Sequence, residues 1–404
     1  MRSSLLLLGL DRSERQKGVN PMKFIHTADL HIGKVVNEFS MLEEQKHVLQ
    51  QILTIVKEEK ADGLILAGDI YDRSVPSAEA VVALDQFLRE ATKLGIQIFM
   101  ISGNHDSPER IGFARSILED KGLHIEGMIR GNMNPVAMED EYGTLNIYML
   151  PFAKPAIIRH LYQDETIVTC EDGVRKIIEE SGIDANNRNL LITHHFVTNT
   201  GKPPEQSESE SNLLLGGAEN VDASVFEAFD YVALGHIHGP QRMGRDTIRY
   251  SGSPIKYSFS EVFHKKSVTI VELKDKGDVT LSVRELKPIH DMRKIKGTLD
   301  ELMKEEVYSQ ADVNDYLHVT LLDKQELFDP MGELRSVYPN VMQITFEKNE
   351  RKEHENSVSI ASTQNKTIYE HFRDFYTSVA GEELDGEYET CMKAVIEEIG
   401  GDIG

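Results

Sequence analysis

The sequence predicts an α/β fold, and three observations carry that prediction. Short continuous apolar runs recur from Lys23 to about Ser260, as strands covered on both faces require. Helical patterns with apolar residues on one face separate them. Clusters of Asp, Asn, His and Gly follow the runs, where an open α/β sheet presents its ligand crevice.

Met22 opens the first strand pattern, continuing through Lys23, Phe24, Ile25, His26 and Thr27. Residues 1–21, with Leu5 to Leu8 between Arg2 and Asp11, hold too short an apolar run for a membrane span and no small-residue cleavage site. They read as a disordered extension or as untranslated sequence, native translation then starting at Met22. Ser40 followed by Glu43 predicts a capping box, and Val48, Leu49, Ile52, Ile55 and Val56 share one helical face. Residues 63–67 read as a strand, and Val81, Leu84, Leu88 and Ala91 as the apolar stripe of the next helix. Residues 96–101, 145–150, 190–193 and 231–234 are further buried-strand runs. Between Thr200 and Gly217 the Pro, Ser, Glu and Gly content predicts a mobile loop. Residues 248–250, 268–273 and 279–283 read as antiparallel strands. Residues 286–347 form a smaller strand–helix–strand–helix–strand α+β unit, 348–367 a polar linker, and 368–404 a helical pair interrupted near Gly381. Tyr369, Phe372, Phe375 and Tyr376 make an aromatic stripe on that pair, suited to its own domain or to a groove on a partner.

Composition narrows the function. With 404 residues, 40% hydrophobic and 27% charged, the chain can bury two or three cores, which excludes a disordered or collagen-like protein. Forty-four Lys and Arg against 67 Asp and Glu give a net charge of −23, which argues against gripping nucleic acid or anionic membranes by bulk electrostatics. The exception is residues 241–300, with thirteen basic against eight acidic side chains. Two distant cysteines, Cys170 and Cys391, offer neither a disulfide framework nor a zinc ribbon, so the chain reads as cytosolic.

The chemistry lies in five clusters: Asp29-Leu30-His31, Gly68-Asp69-Ile70-Tyr71-Asp72, Gly103-Asn104-His105-Asp106, Thr193-His194-His195 and Gly235-His236-Ile237-His238. The set holds hard oxygen and imidazole donors without a thiolate, which suits Mn, Fe or Zn, and six or seven donors are too many for one ion. Two ions sharing a bridging carboxylate can clamp a phosphate and activate a water for in-line attack. An Asp-x-His triplet alone is uninformative, whereas Gly-Asn-His-Asp arises by chance in about one chain in a thousand of this length. Asp72 and Asp106 fit the role of carboxylates that orient histidines.

These ordered motifs resemble those of the calcineurin-like metallophosphoesterases, over nearly all of residues 22–404. The resemblance implies a layered core of two mixed sheets flanked by helices across 22–285, with 286–347 as a capping domain and 368–404 as a partner-binding segment. It implies that Asp29, His31 and His238 hold one manganese, that Asn104, His195 and His236 hold the other, and that Asp69 bridges them; Mg2+ or Fe2+ are alternatives. His105 would act as catalytic proton donor or stabilise developing charge. Neighbours at a strand end point to opposite sides, so one of His194 and His195 reaches the metals; the resemblance favours His195, with His194 as the alternative. The activity implied is that of a bacterial DNA nuclease subunit, removing nucleotides 3′ to 5′ from double strands, nicking single strands and opening hairpins. Its partner would be an SMC-like ATPase in an assembly of two nuclease and two ATPase chains, since this chain has no Gly-x-x-x-x-Gly-Lys-Ser/Thr loop of its own. A phosphatase or small phosphodiester hydrolase, and a scaffold with a dispensable metal site, are the competing readings.

Overall fold

A computed structural model describes residues 21–210, 218–325 and 327–347, together with isolated helical positions between Tyr369 and Ile396. Fifteen strands build the three larger sheets. They are β1 (Met22–Thr27), β2 (Gly63–Ala67), β3 (Gln97–Ile101), β4 (Leu123–Glu126), β5 (Val136–Asp140), β6 (Gly143–Leu150), β7 (Arg188–Thr193), β8 (Tyr231–Leu234), β9 (Gln241–Met243), β10 (Arg245–Tyr250), β11 (Ser267–Leu273), β12 (Val279–Glu285), β13 (Met292–Gly297), β14 (Tyr316–Leu321) and β15 (Val341–Phe346). The first sheet has the order β12-β11-β1-β2-β3-β4 and the second β9-β10-β8-β7-β6-β5. Both are mixed, with parallel pairing among β1 to β4 and among β6, β7, β8 and β10.

The continuous apolar runs are explained by double burial. In β2, Leu64 and Leu66 pack with helices α1 (Leu42–Glu58) and α2 (Ala78–Lys93), while Ile65 and Ala67 face the second sheet. Phe24, Phe99, Leu145, Ile147, Leu190, Ile192 and Tyr231 fill the layer between the sheets. The outer face of the second sheet is covered by α3 (Pro155–Tyr162) and α4 (Cys170–Glu180), through Ile158, Val174 and Ile177. Each fully buried aliphatic side chain contributes about 1.5–3 kcal/mol, so this four-layer stack holds the strand ends rigidly.

Several expectations are corrected in detail. The helix α1 begins after Met41 with no side-chain cap, because Ser40 is drawn into a two-residue strand paired with Val35; its hydroxyl lies 3.4 Å from the Leu42 amide. In α2 the buried face is Ala80, Ala83, Leu84, Phe87 and Ala91, and Val81 is exposed. Strand β10 runs parallel to β8 and antiparallel only to the short β9. The segment after Thr200 packs back on the body: Glu210 is buried, and the Glu205 and Glu208 amides bond Gln241 and Ser260.

Strands β13, β14 and β15 form a parallel three-stranded sheet with its own apolar cluster of Leu299, Leu317, Val319, Leu334 and Val341. The chain divides into Met1–Phe346 and Glu347–Gly404. In the second unit Tyr369 and Ile396 are buried, and the Phe372 and Tyr376 rings lie 6.4 Å apart. Residues 1–20, the linker, Phe375, Cys391 and the break near Gly381 lie outside the described residues. No helix among the described residues is long and apolar enough to cross a membrane.

Candidate metal centre

The strands β1, β2 and β3 are neighbours in one sheet, and β7 and β8 are neighbours in the other. All five clusters follow the carboxyl ends of these strands, so residues some 200 positions apart meet between the two sheets. Asp29, His31, Asp69 and His236 all have positive φ, at 54°, 43°, 48° and 101°. Left-handed backbone at four non-glycine residues is costly and persists only where the surroundings enforce it. The enforcement here is a lattice of hydrogen bonds. The Asp29 amide donates to Gly68 O (3.0 Å) and the His31 amide to Asp69 O (2.9 Å). Asp106 accepts from the amides of Ile70, Tyr71 and Gly103 at 3.0, 2.9 and 2.9 Å. Asp106 therefore braces two loops through backbone and does not orient a histidine.

Glycine serves close approach more than turning. A Cβ at Gly103 would lie 2.1 Å from Asp69 Oδ1, and one at Gly235 would lie 2.0 Å from Ala67 O. At Gly68 both reasons apply, since φ is +88° and a Cβ would strike the His194 ring.

The donor atoms converge in two groups. His31 Nε2 and His238 Nε2 face each other at 3.1 Å, with Asp29 in the same cluster. His194 Nε2 lies 3.2 Å from Asn104 Oδ1, which is 2.8 Å from His236 Nδ1. Asp69 Oδ2 stands between, 3.5 Å from His31 Nε2 and 3.3 Å from His194 Nε2. The expectation for His195 is corrected. Its ring is buried on the other side of the strand end, with Nδ1 2.8 Å from Thr193 Oγ1 and the Phe152 ring 5.6 Å away. His194 takes the inward position, as the two-residue alternation of an extended chain demands of one neighbour. His105 is the partly exposed member: its Nδ1 is 3.0 Å from Asp72 O and its Nε2 4.0 Å from Asp69 Oδ2.

Electrostatics match this arrangement. Burial depresses His31, His236 and His238, so these rings are neutral lone-pair donors at neutral pH. Burial also penalises charge on Asp69, but His194, followed by His31 and His105, outweighs it and holds that carboxyl well below its usual range. His194 opposes its own burial through Asp69 and Asp29 and is raised to about 9. Its proton thus sits among buried carboxylates, where a bound cation would otherwise balance their charge. Asp29 Oδ2 is buried with no hydrogen-bond partner, and an orphaned buried carboxylate oxygen is expensive unless something coordinates it. The donor set is compatible with two divalent cations, Asp29, His31 and His238 facing one and Asn104, His194 and His236 the other, across Asp69.

Among the scaffolding residues, sequence reasoning singled out Asp72 but missed Gln45 and Lys34. Gln45 Nε2 donates to the carbonyls of Leu30 and His31 and to Tyr257 Oη, while its Oε1 accepts from the Gly33 amide. The Tyr257 ring stands edge-on to His31 and His238 at 5.5 and 5.7 Å. Lys34 and Asp72 pair at 2.7 Å, and Asp72 Oδ1 lies 3.8 Å from His31 Nδ1. The Cys170 thiol is buried and pushed up to about 12 by that burial, so it stays protonated at neutral pH.

A family model described as calcineurin-like phosphoesterase matches residues 22–240, and the SbcD_C model, described as type 5 capsule protein repressor C-terminal domain, matches residues 288–380. Among solved structures, the chain is similar to a dimetal phosphatase from Danio rerio at 14% identity, over 66% of this chain and 97% of that one, with a TM-score of 0.38. It is similar to the protein TT1561 of Thermus thermophilus at 12% identity, over 66% and 100%, with a TM-score of 0.39. A third is GAP50, the anchor in the inner membrane complex of Plasmodium, at 11% identity, over 82% and 98%, with a TM-score of 0.41. The first family model spans more than half of the chain, and the ordered Asp, Asn and His clusters lie within it: beside a C-terminal region that matches the SbcD_C model, the protein belongs to the calcineurin-like phosphoesterases, enzymes of phosphate-ester hydrolysis.

Proposed function

We propose that this chain is the nuclease subunit of an SbcCD-type complex, a manganese-dependent phosphodiesterase that processes DNA ends in repair and recombination. The observation that carries the reading is the pair of facing donor clusters sharing Asp69, beside a C-terminal SbcD-type domain. When bound, two divalent ions would supply charge neutralisation at the scissile phosphate and a nucleophilic water at neutral pH. Asp29, His31 and His238 would hold one, Asn104, His194 and His236 the other, and Asp69 both. The chain's own part is to fix those donors and to handle the proton. His105 Nδ1–H donates to the Asp72 carbonyl, which fixes the ring; in its doubly protonated form Nε2–H gives its proton to the leaving oxygen and the ring returns to the neutral Nδ1–H tautomer. The His105 side chain, 26% exposed, is open to an incoming strand.

The C-terminal segment 368–404 would bind SbcC, the SMC-like ATPase, with two chains of each in the assembly, in a bacterial cytoplasm. Partner dependence agrees with the charge. Part of the basic stretch 241–300 is occupied internally, by pairs such as Arg242–Asp246, Lys256–Asp291, Lys266–Glu261, Lys276–Asp230 and Arg284–Glu58. A chain of net charge −23 so built grips DNA weakly by itself. The test is Mn2+-dependent cleavage of a hairpin DNA and of a nucleotide monoester by the full chain, with and without the ATPase. Hairpin opening that the partner accelerates supports the reading. Faster turnover of the monoester assigns the site to a phosphatase, and unchanged DNA processing by His105→Ala protein favours a scaffold.

A further inference from the structure

In the loop that sequence composition marks as mobile, Ser209 and Glu210 lie against the metal cluster. Ser209 Oγ lies 2.7 Å from His238 Nδ1 and within hydrogen-bonding distance of Glu261 Oε1. Glu261 is fully buried, and its other oxygen pairs with the Lys266 ammonium at 2.5 Å. That ammonium also donates to His238 O (2.9 Å) and Ser253 Oγ (2.8 Å). On the other side of Ser209, Glu210 Oε1 accepts the His238 amide at 2.8 Å. The same ring is thus held from its backbone and its rear nitrogen by one loop.

Proton counting fixes the direction. A hydroxyl has one hydrogen, and a carboxylate can only accept. Ser209 therefore donates to Glu261, and its lone pair receives Nδ1–H of His238. The imidazole is left with Nε2 bare, and that atom is the one facing His31 Nε2 at 3.1 Å. Histidine ligands commonly have their second nitrogen held in this way, and losing the holder weakens metal binding.

We propose that Ser209 and Glu261 form a serine-relayed carboxylate that sets the tautomer and orientation of His238, making Ser209 a positioning residue for one of the two cation sites. The inference rests on the two-metal reading above. Glu261 Oε1 itself lies 3.5 Å from His238 Nδ1, too far for a strong hydrogen bond, so the shorter link runs through the Ser209 hydroxyl and metal affinity depends on how its loop is seated.

The experiment is calorimetric titration of Mn2+ into the full-length wild-type, Ser209→Ala and Ser209→Thr proteins. It is joined to nitrogen-15 imidazole correlation spectra of the metal-free forms, which read the His238 tautomer. Wild type takes two ions; Ser209→Ala weakens one site by about ten- to a hundredfold, leaves the other, and loses the single Nδ1–H signature, while Ser209→Thr restores both. Wild-type affinities and an unchanged tautomer in Ser209→Ala overturn the relay and leave the metal reading standing. Equal weakening of both sites overturns it as well, because general loosening then explains the effect. A wild-type protein that binds no Mn2+ overturns both readings.

Discussion

His194 and His195 are adjacent and chemically identical, and one residue of register decides which faces the metals. The motifs Asp29-x-His31, Gly103-Asn104-His105-Asp106 and Gly235-His236-x-His238 were legible because each is contiguous and follows an apolar run. The choice between the two histidines was not, since it depends on where the extended backbone of β7 ends. Among the described residues His194 reaches Asp69 and Asn104, and His195 turns to Thr193 and Phe152. His194→Ala is expected to bind one Mn2+ per chain instead of two and to lose at least about a hundredfold in cleavage rate, whereas His195→Ala keeps two. Elemental analysis of dialysed protein checks this, and the opposite pattern would return the ligand role to His195. His105→Ala is expected to retain both ions and lower kcat by about a hundred- to ten-thousandfold, as removal of a general acid does; a change in KM alone would contradict that role.

At the scale of elements, the inner strands were legible because burial on both faces writes itself as a continuous apolar run, whereas the edge strands β4, β5 and β9, short or half-exposed, were not. Helix framing was less legible, as α2 shows by exposing Val81 and burying Ala80 and Phe87. Propensity could not show that Ser40 would enter a strand. Nor could it find Gln45, Ser209 or Glu261, which are ordinary residue types whose meaning arises only from contacts across as many as 212 positions. Asp106 ties the loop after β2 to the loop after β3 through three amides. Replacing it by Asn turns an acceptor edge into a donor against those amides, so Asp106→Asn is expected to cost about 1–3 kcal/mol of stability and to weaken metal binding. Denaturant unfolding of the metal-free protein measures the first, and an unchanged midpoint would show that the loops do not need this brace.

At the scale of the molecule, the larger unit is built on two sheets packed face to face, with the site at their shared carboxyl end and one buried polar pair in the layer behind it. There His26 Nδ1 meets Tyr231 Oη at 2.8 Å, and burial, aided by Arg249, pushes His26 down to about 3. Its ordinary value in the unfolded chain is near 6.5. Between these values the unfolded state takes up a proton that the folded state refuses, so this contribution to stability is complete above about pH 6.5 and is lost as pH falls toward 3. His26→Gln should flatten the stability curve between pH 6.5 and 4 relative to wild type; parallel curves would exclude His26 as a source of acid lability. The charge of −23 and the partly paired basic stretch leave the molecule little electrostatic grip on a polyanion, which is why a DNA-binding partner belongs to the proposal. The central claim is the paired metal site between the sheets. It is tested most directly by anomalous diffraction at the manganese edge from crystals of the full-length protein grown with Mn2+. Two peaks are expected, one beside Asp29, His31 and His238 and one beside Asn104, His194 and His236, with Asp69 between them. A single peak, or a second peak held by His195, would contradict the account.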